Sequence, residues 1–201
     1  EAVLMPMPKT MEKYTYQDYC AWPDDERWEL IGGIAYDMTP APSFDHQNVA
    51  GTFYRLLGNA LQGKTCVPGI APVDVVLSEE DVVQPDVFVV CDPQKITGKN
   101  IQGAPDLVIE VLSPATAKKD RWEKKWLYEK SGVREYILIE VAAQFVERYV
   151  LGDDRQFSPG EMFEAHQVIP LRSLEGIEIP LWEVYGIDKD QPEVKRGPGV
   201  K

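Results

Sequence analysis

The chain has 201 residues, of which 44% are hydrophobic and 27% charged. This is ordinary globular composition, which excludes a disordered polymer and suits one compact domain. With 21 Lys and Arg against 33 Asp and Glu, the net charge is −12, which argues against a protein that coats nucleic acid or anionic membranes over its whole surface.

Residues 1–13 read as an N-terminal arm, followed by a short helix within Tyr14–Trp22 that Pro23 ends. The arm lacks a basic stretch followed by an apolar one, so it does not read as a signal peptide. Two β-type runs flank Gly32-Gly33 and predict a hairpin, bounded by Pro40 and Pro42. Ser43 is a fitting N-cap for an amphipathic helix over 44–62, because Val49, Phe53, Leu56, Leu57, Ala60 and Leu61 recur at helical spacing. Gly63 would stop it.

Strands are expected over 65–70, 73–77 and 85–90. The strongest is 106–112 (DLVIEVL), whose nearly continuous apolar content indicates a strand covered on both faces. Thr116 would cap a helix running to Lys130, with Gly132 behind it. Strands 135–141 and 144–151 follow, then short β-type pieces to Ile187 and a charged, Pro- and Gly-rich tail over 188–201 expected to be disordered. The expected organisation is one domain over 14–187, α/β (α+β) in class, with a mixed β-sheet flanked by helices. No apolar run approaches the about 18 residues of a membrane span. Cys20, Cys66 and Cys91 form no CxxC pair, which predicts three reduced thiols and a cytoplasmic protein.

Two carboxylates interrupt this apolar pattern. Asp86 follows Pro85 at a strand start, and Glu110 lies inside the strongest strand. A carboxylate in such a strand is costly unless compensated, and a divalent cation with hard oxygen ligands is one compensation. Period-2 alternation sets Asp106, Val108, Glu110 and Leu112 on one face, with Leu107, Ile109 and Val111 on the other. Asp120, Lys124 and Tyr128 recur at i, i+4, i+8 on the next helix, so Lys124 could reach Glu110 if that helix packs over the strand.

The blocks WELIGGIAY, VVQPDVFVVCDPQKI and GAPDLVIEVLSPATAKKDRWEKKWLYEKSGVREYILIE resemble the Uma2 (DUF820) family of the PD-(D/E)XK restriction-endonuclease-like superfamily, in order and spacing, over about residues 14–187. The resemblance implies a Mg²⁺-dependent endonuclease (Mn²⁺ possible) acting on DNA. Asp86 and Glu110 would bind the metal. Leu112 stands where a strict (D/E)xK motif has its lysine, and Lys124 on the following helix takes that place. Glu29 would be an additional acidic residue near the site, and Gln84 would line the cleft. Asp120 and Tyr128 would fix Lys124. The family often has Asp-Pro where Glu140-Val141 stand here, which would alter only the neighbouring loop.

Blander roles compete with each of these. Glu29 also suits a cross-strand ion pair in the hairpin, and Lys124 a solvated helix face. His46 and His166, far apart in sequence, read as structural or surface residues, and Trp122 and Trp126 as packing rather than base-stacking groups. A non-catalytic binding or oligomerisation module on the same fold, or a hydrolase of another phosphate ester, are the alternative functions. A homodimer is the default expectation for cutting two strands. The span from Lys118 to Arg134 holds seven basic residues against three acidic, +4 in a chain of −12. Lys118, Lys119, Arg121 and Lys125 within it are therefore the expected phosphate contacts.

Overall fold

The computed structural model describes residues 13–23, 25–38 and 41–189. Most of the expected arm and tail, and Pro40 at the end of the expected hairpin, lie outside the described residues.

The expected mixed sheet flanked by helices is built, among the described residues, as two larger sheets. The first contains the hairpin β1 (Trp28–Ile31) and β2 (Ile34–Asp37), together with β4 (Val75–Ser78), β5 (Asp81–Val83) and β7 (Ile101–Gln102), in the order β2-β1-β5-β4-β7. The hairpin forms as its Gly-Gly pair demands: φ is +58° at Gly32 and +79° at Gly33, both in the left-handed region that glycine adopts without strain. The second sheet contains β3 (Val67–Ile70), β6 (Val87–Val90) and β8 (Leu107–Val111), then β9 (Glu135–Glu140), β10 (Phe145–Val150) and β11 (Glu161–Glu164). Its order is β11-β10-β9-β8-β6-β3, and within it β8 and β9 are parallel while the other neighbours are antiparallel. A two-stranded ladder joins β12 (Val168–Pro170) to β13 (Glu178–Pro180).

Among the described residues, five α-helical pieces accompany the sheets: α1 (Tyr16–Tyr19), α2 (Phe44–Ala60), α3 (Ala117–Lys119), α4 (Lys125–Ser131) and α5 (Leu181–Tyr185). Ser43 caps α2 by accepting the His46 N–H, and Val49, Ala50, Phe53 and Leu57 bury its apolar stripe against Val87, Val89, Leu107, Ile109 and Val111. The opposite face of the same sheet, including Phe88, Val108, Leu112 and Leu138, packs with Leu127 and Tyr128 of α4 and with Ile31, Val75 and Val83 of the first sheet. The central strand is thus covered on both sides, and its alternation falls as expected, with Glu110 on the face it shares with Val108 and Leu112.

The expected single helix over 116–130 is not regular. A π-helical segment, Asp120–Lys124, separates α3 from α4. Thr116 makes no side-chain cap; its own N–H is instead accepted by Ser113 Oγ at 3.2 Å. Gly132 ends α4 at φ +88°.

The cysteine expectation is overturned at two positions. The antiparallel register Val67↔Val90 sets Cys66 beside Cys91, and the two are disulfide-bonded, leaving Cys20 as the free, exposed thiol. Cross-strand proximity of residues 25 apart is a tertiary fact that spacing does not show. Among the described residues, no helix is long and apolar enough to cross a membrane.

Candidate active site

The sheet register builds the site. Val87 of β6 lies opposite Ile109 of β8, so Asp86, one step before β6, comes beside Glu110. The Asp86 N–H donates to Glu110 Oε2 at 3.4 Å, and the Val111 N–H donates to Asp86 Oδ2 at 2.8 Å. Glu110 is 3% exposed, while the Asp86 side chain is 20% exposed, so Asp86 is the member of the pair that meets solvent.

Lys124 reaches Glu110 from the π segment. Its Nζ lies 2.9 Å from Glu110 Oε1, 2.7 Å from Glu29 Oε1 and 3.7 Å from Asp120 Oδ1. Lys119 donates to the other Glu29 oxygen at 2.6 Å. In a regular α-helix, residues five apart point about 140° away from each other. The wider winding of the π segment brings Lys119 and Lys124 onto one carboxylate. The winding also alters backbone pairing, and the Asp120 carbonyl accepts from the buried Tyr136 hydroxyl at 3.0 Å.

Several expected roles are corrected. Glu29 has no cross-strand ion partner in the hairpin, where it faces Tyr36; its charge is met by the two lysines. Lys119 is buried against Glu29 rather than presented to solvent. Arg121 is half-buried and bonded to Glu147 at 2.5 Å, and Lys125 lies over the Tyr149 ring, 3.8 Å from its centroid. Of the four expected contacts only Lys118 is exposed. Tyr128 supports Glu110 rather than Lys124, donating to Oε1 at 2.8 Å. Gln84 does not present its side chain to the cluster: Arg27 and Asp74 hold its amide, and only its N–H touches the site, at Glu29 Oε1. Trp122 and Trp126 are exposed, which removes the core alternative of the expected core or interface packing.

The residue missed by sequence reasoning is His46. Its Nε2 lies 3.2 Å from Asp86 Oδ2. A histidine three residues after an N-cap serine carries no local signal, because its partner is 40 residues away and the pairing depends on how α2 packs across the sheet.

Electrostatics follow from burial and count. Desolvation pushes Glu29 up, but the charges and hydrogen bonds of Lys124 and Lys119 outweigh it and hold this carboxyl at about 2. For Glu110, desolvation wins: it is raised to about 8, with Asp86, Asp120 and Glu29 adding to the rise and Lys124 opposing it. Burial likewise raises Asp120. Lys124 is driven well above the usual lysine range, because Glu110, Glu29 and Asp120 together overcome its desolvation. It is a fixed ammonium and not a proton acceptor. Burial lowers His46, but the hydrogen bond and charge of Asp86 raise it further.

The donor set fits a hard divalent cation. Glu29, Asp86, Glu110 and Asp120 outnumber the cationic groups that meet them, the ammonium groups of Lys119 and Lys124 and the imidazole of His46, so the cluster can carry an excess of negative charge that a cation would offset. Among the described residues no three His, Cys, Asp or Glu side chains are arranged to hold a metal alone. Two carboxylates are a common protein share for Mg²⁺, which keeps waters and substrate phosphates as its other ligands.

Residues 16–181 match the Uma2 family model, whose description is "Putative restriction endonuclease". Over 146 residues the chain is 29% identical to the uncharacterized protein slr1290 of Synechocystis sp., covering 71% of this chain and 76% of that one. The crystal structure of a "putative nuclease belonging to DUF820" from Anabaena variabilis aligns with a TM-score of 0.71 and 17% identity, over 86% of this chain and 97% of that one. At that identity the likeness concerns the fold, and the mixed α+β architecture is the one the two share. Since the family match spans most of its length and includes every site residue described above, the chain belongs to the Uma2 family.

Proposed function

We propose that the protein is a Mg²⁺-dependent endonuclease, able to use Mn²⁺, that hydrolyses phosphodiester bonds of DNA. Asp86 and Glu110 would hold the ion, and Lys124 would assist. The observation that supports this most is the placement of Asp86 across from Glu110, with Asp86 at the solvent-facing edge of an otherwise buried, negatively unbalanced cluster. When bound, the ion supplies an acidified water and neutralises charge on the phosphate.

The chain's own residues do the rest. Lys124 and Tyr128 both donate to Oε1 of Glu110, which directs Oε2 toward Asp86. Lys124 is 2% exposed and engaged with three carboxylates, so its part is to hold Glu110 and supply positive charge at short range. Glu29 anchors Lys124 and Lys119, and Asp120 adds to the same anchorage.

One observation favours the second reading, a non-catalytic module: Glu29, Glu110, Asp120 and Lys124 are already closed on one another out of solvent. Calorimetric titration with Mg²⁺ and Mn²⁺, on wild type and Asp86→Ala, separates the two. Cleavage of supercoiled and single-stranded DNA is then measured. The nuclease proposal expects wild type to bind the ion and cut, and Asp86→Ala to do neither. Ion binding without cleavage of any nucleic acid would redirect the assignment to another phosphate ester. Absence of ion binding would sink the metal site and leave the module.

A further inference from the structure

Of the site residues described above, His46 is the one supplied by α2. Its ring is held on a well-packed helix: the Ser43 cap fixes the first turn, and Val49, Ala50 and Phe53 of the same helix are buried in the core. The residue is 8% exposed. Among the described residues Nδ1 is buried without a hydrogen-bond partner, whereas Nε2 lies 3.2 Å from Asp86 Oδ2, and the Val111 backbone acts on the ring beside it. The polar commitment of the ring is therefore on its Asp86 edge. An imidazole beside a carboxylate carries its proton on the nitrogen that faces it. Nε2–H is then the donor, and Asp86 Oδ2 the acceptor.

The same oxygen also accepts the Val111 N–H at 2.8 Å. That donor is fixed by the strand in which it sits, since β8 pairs with both β6 and β9. Two donors converging on one oxygen set both the rotation and the tilt of a carboxylate that would otherwise swing at the solvent edge of the cluster. They also use up the lone pairs of Oδ2 while leaving those of Oδ1 for an incoming ligand.

We propose that His46 is a positioning residue for Asp86: together with the Val111 N–H it clamps Oδ2, so that Oδ1 is the oxygen presented to the divalent ion. This rests on the metal-site reading given above. Hydrogen-bonded partners of metal ligands of this kind typically change metal affinity about 10–100-fold when removed.

The test is calorimetric Mn²⁺ binding by the full chain in wild type, His46→Ala, His46→Gln and His46→Asn, with thermal melts of each. A glutamine amide nitrogen reaches to where Nε2 lies, and an asparagine one stops at the position of Nδ1. The clamp predicts that His46→Ala and His46→Asn weaken Mn²⁺ binding about 10–100-fold, and that His46→Gln recovers most of the loss at unchanged melting behaviour. Equal Mn²⁺ affinity in the Gln and Asn variants would overturn the inference, because bulk packing would then explain the residue. If His46→Ala does not fold, the Gln and Asn pair decides alone. Wild type failing to bind Mn²⁺ would remove the metal reading itself. Wild type binding it with indifferent His46 variants would remove only the clamp.

Discussion

Replacing Glu110 with Gln tests the charge imbalance of the cluster directly. Burial lifts this carboxyl from 4.5 to about 8, so between those values the folded chain holds a proton that the unfolded chain has lost. A group raised on folding contributes stability that is fully present below its unfolded pKa and is lost as pH rises through its folded one. At about 1.4 kcal/mol for each pH unit, the interval corresponds to a loss on the order of 5 kcal/mol from pH 4.5 to beyond pH 8. Glu110→Gln keeps the shape and removes the titration. Urea denaturation of both proteins across this range, with and without excess Mg²⁺, reads the difference. Without the ion, wild type should lose stability relative to Glu110→Gln as pH rises. With it the slope should flatten, because a cation stabilises the ionised form. Parallel pH profiles for the two proteins without Mg²⁺ would refute the argument that the cluster carries uncompensated negative charge.

Two further outcomes follow from the same packing. Lys124→Met leaves Glu29, Glu110 and Asp120 without a shared cation at a site that is nearly fully buried, and should cost about 3–5 kcal/mol near neutral pH; denaturant midpoints measure it, and a loss below about 1 kcal/mol would mean that the ion pairs behave like exposed ones. Cys66→Ser opens the cross-link between residues 25 apart and should lower stability by about 3 kcal/mol under oxidising conditions; adding a reductant to wild type should reproduce most of that loss, and an unchanged melting temperature in both would contradict it.

Much of the scaffold was legible locally. The Gly32-Gly33 pair demanded a tight hairpin, the Ser43 cap and apolar stripe demanded α2, and the alternation in DLVIEVL already set Glu110 on the face opposite Ile109. Asp86, Glu110 and Lys124 could be picked out because acidic residues in apolar strands, and a lysine on the adjoining helix, stand out against their surroundings, and because the blocks around them resemble a known family. The short strands β5 and β7 were not, since three- and two-residue ladders leave no periodicity to detect.

The acidic excess of −12 and the placement of the longer strands and of α2 belong to the sequence alone. Which charges meet was decided in three dimensions. Lys119 looked like one more basic residue on a solvated face until a π turn rotated it inward onto Glu29. His46 became a partner of Asp86, and Cys66 of Cys91, because helix packing and strand register join residues 40 and 25 positions apart. Local propensity constrains the neighbours of a residue within about a turn or a strand, whereas the contacts that set a buried charge depend on the whole packed sheet.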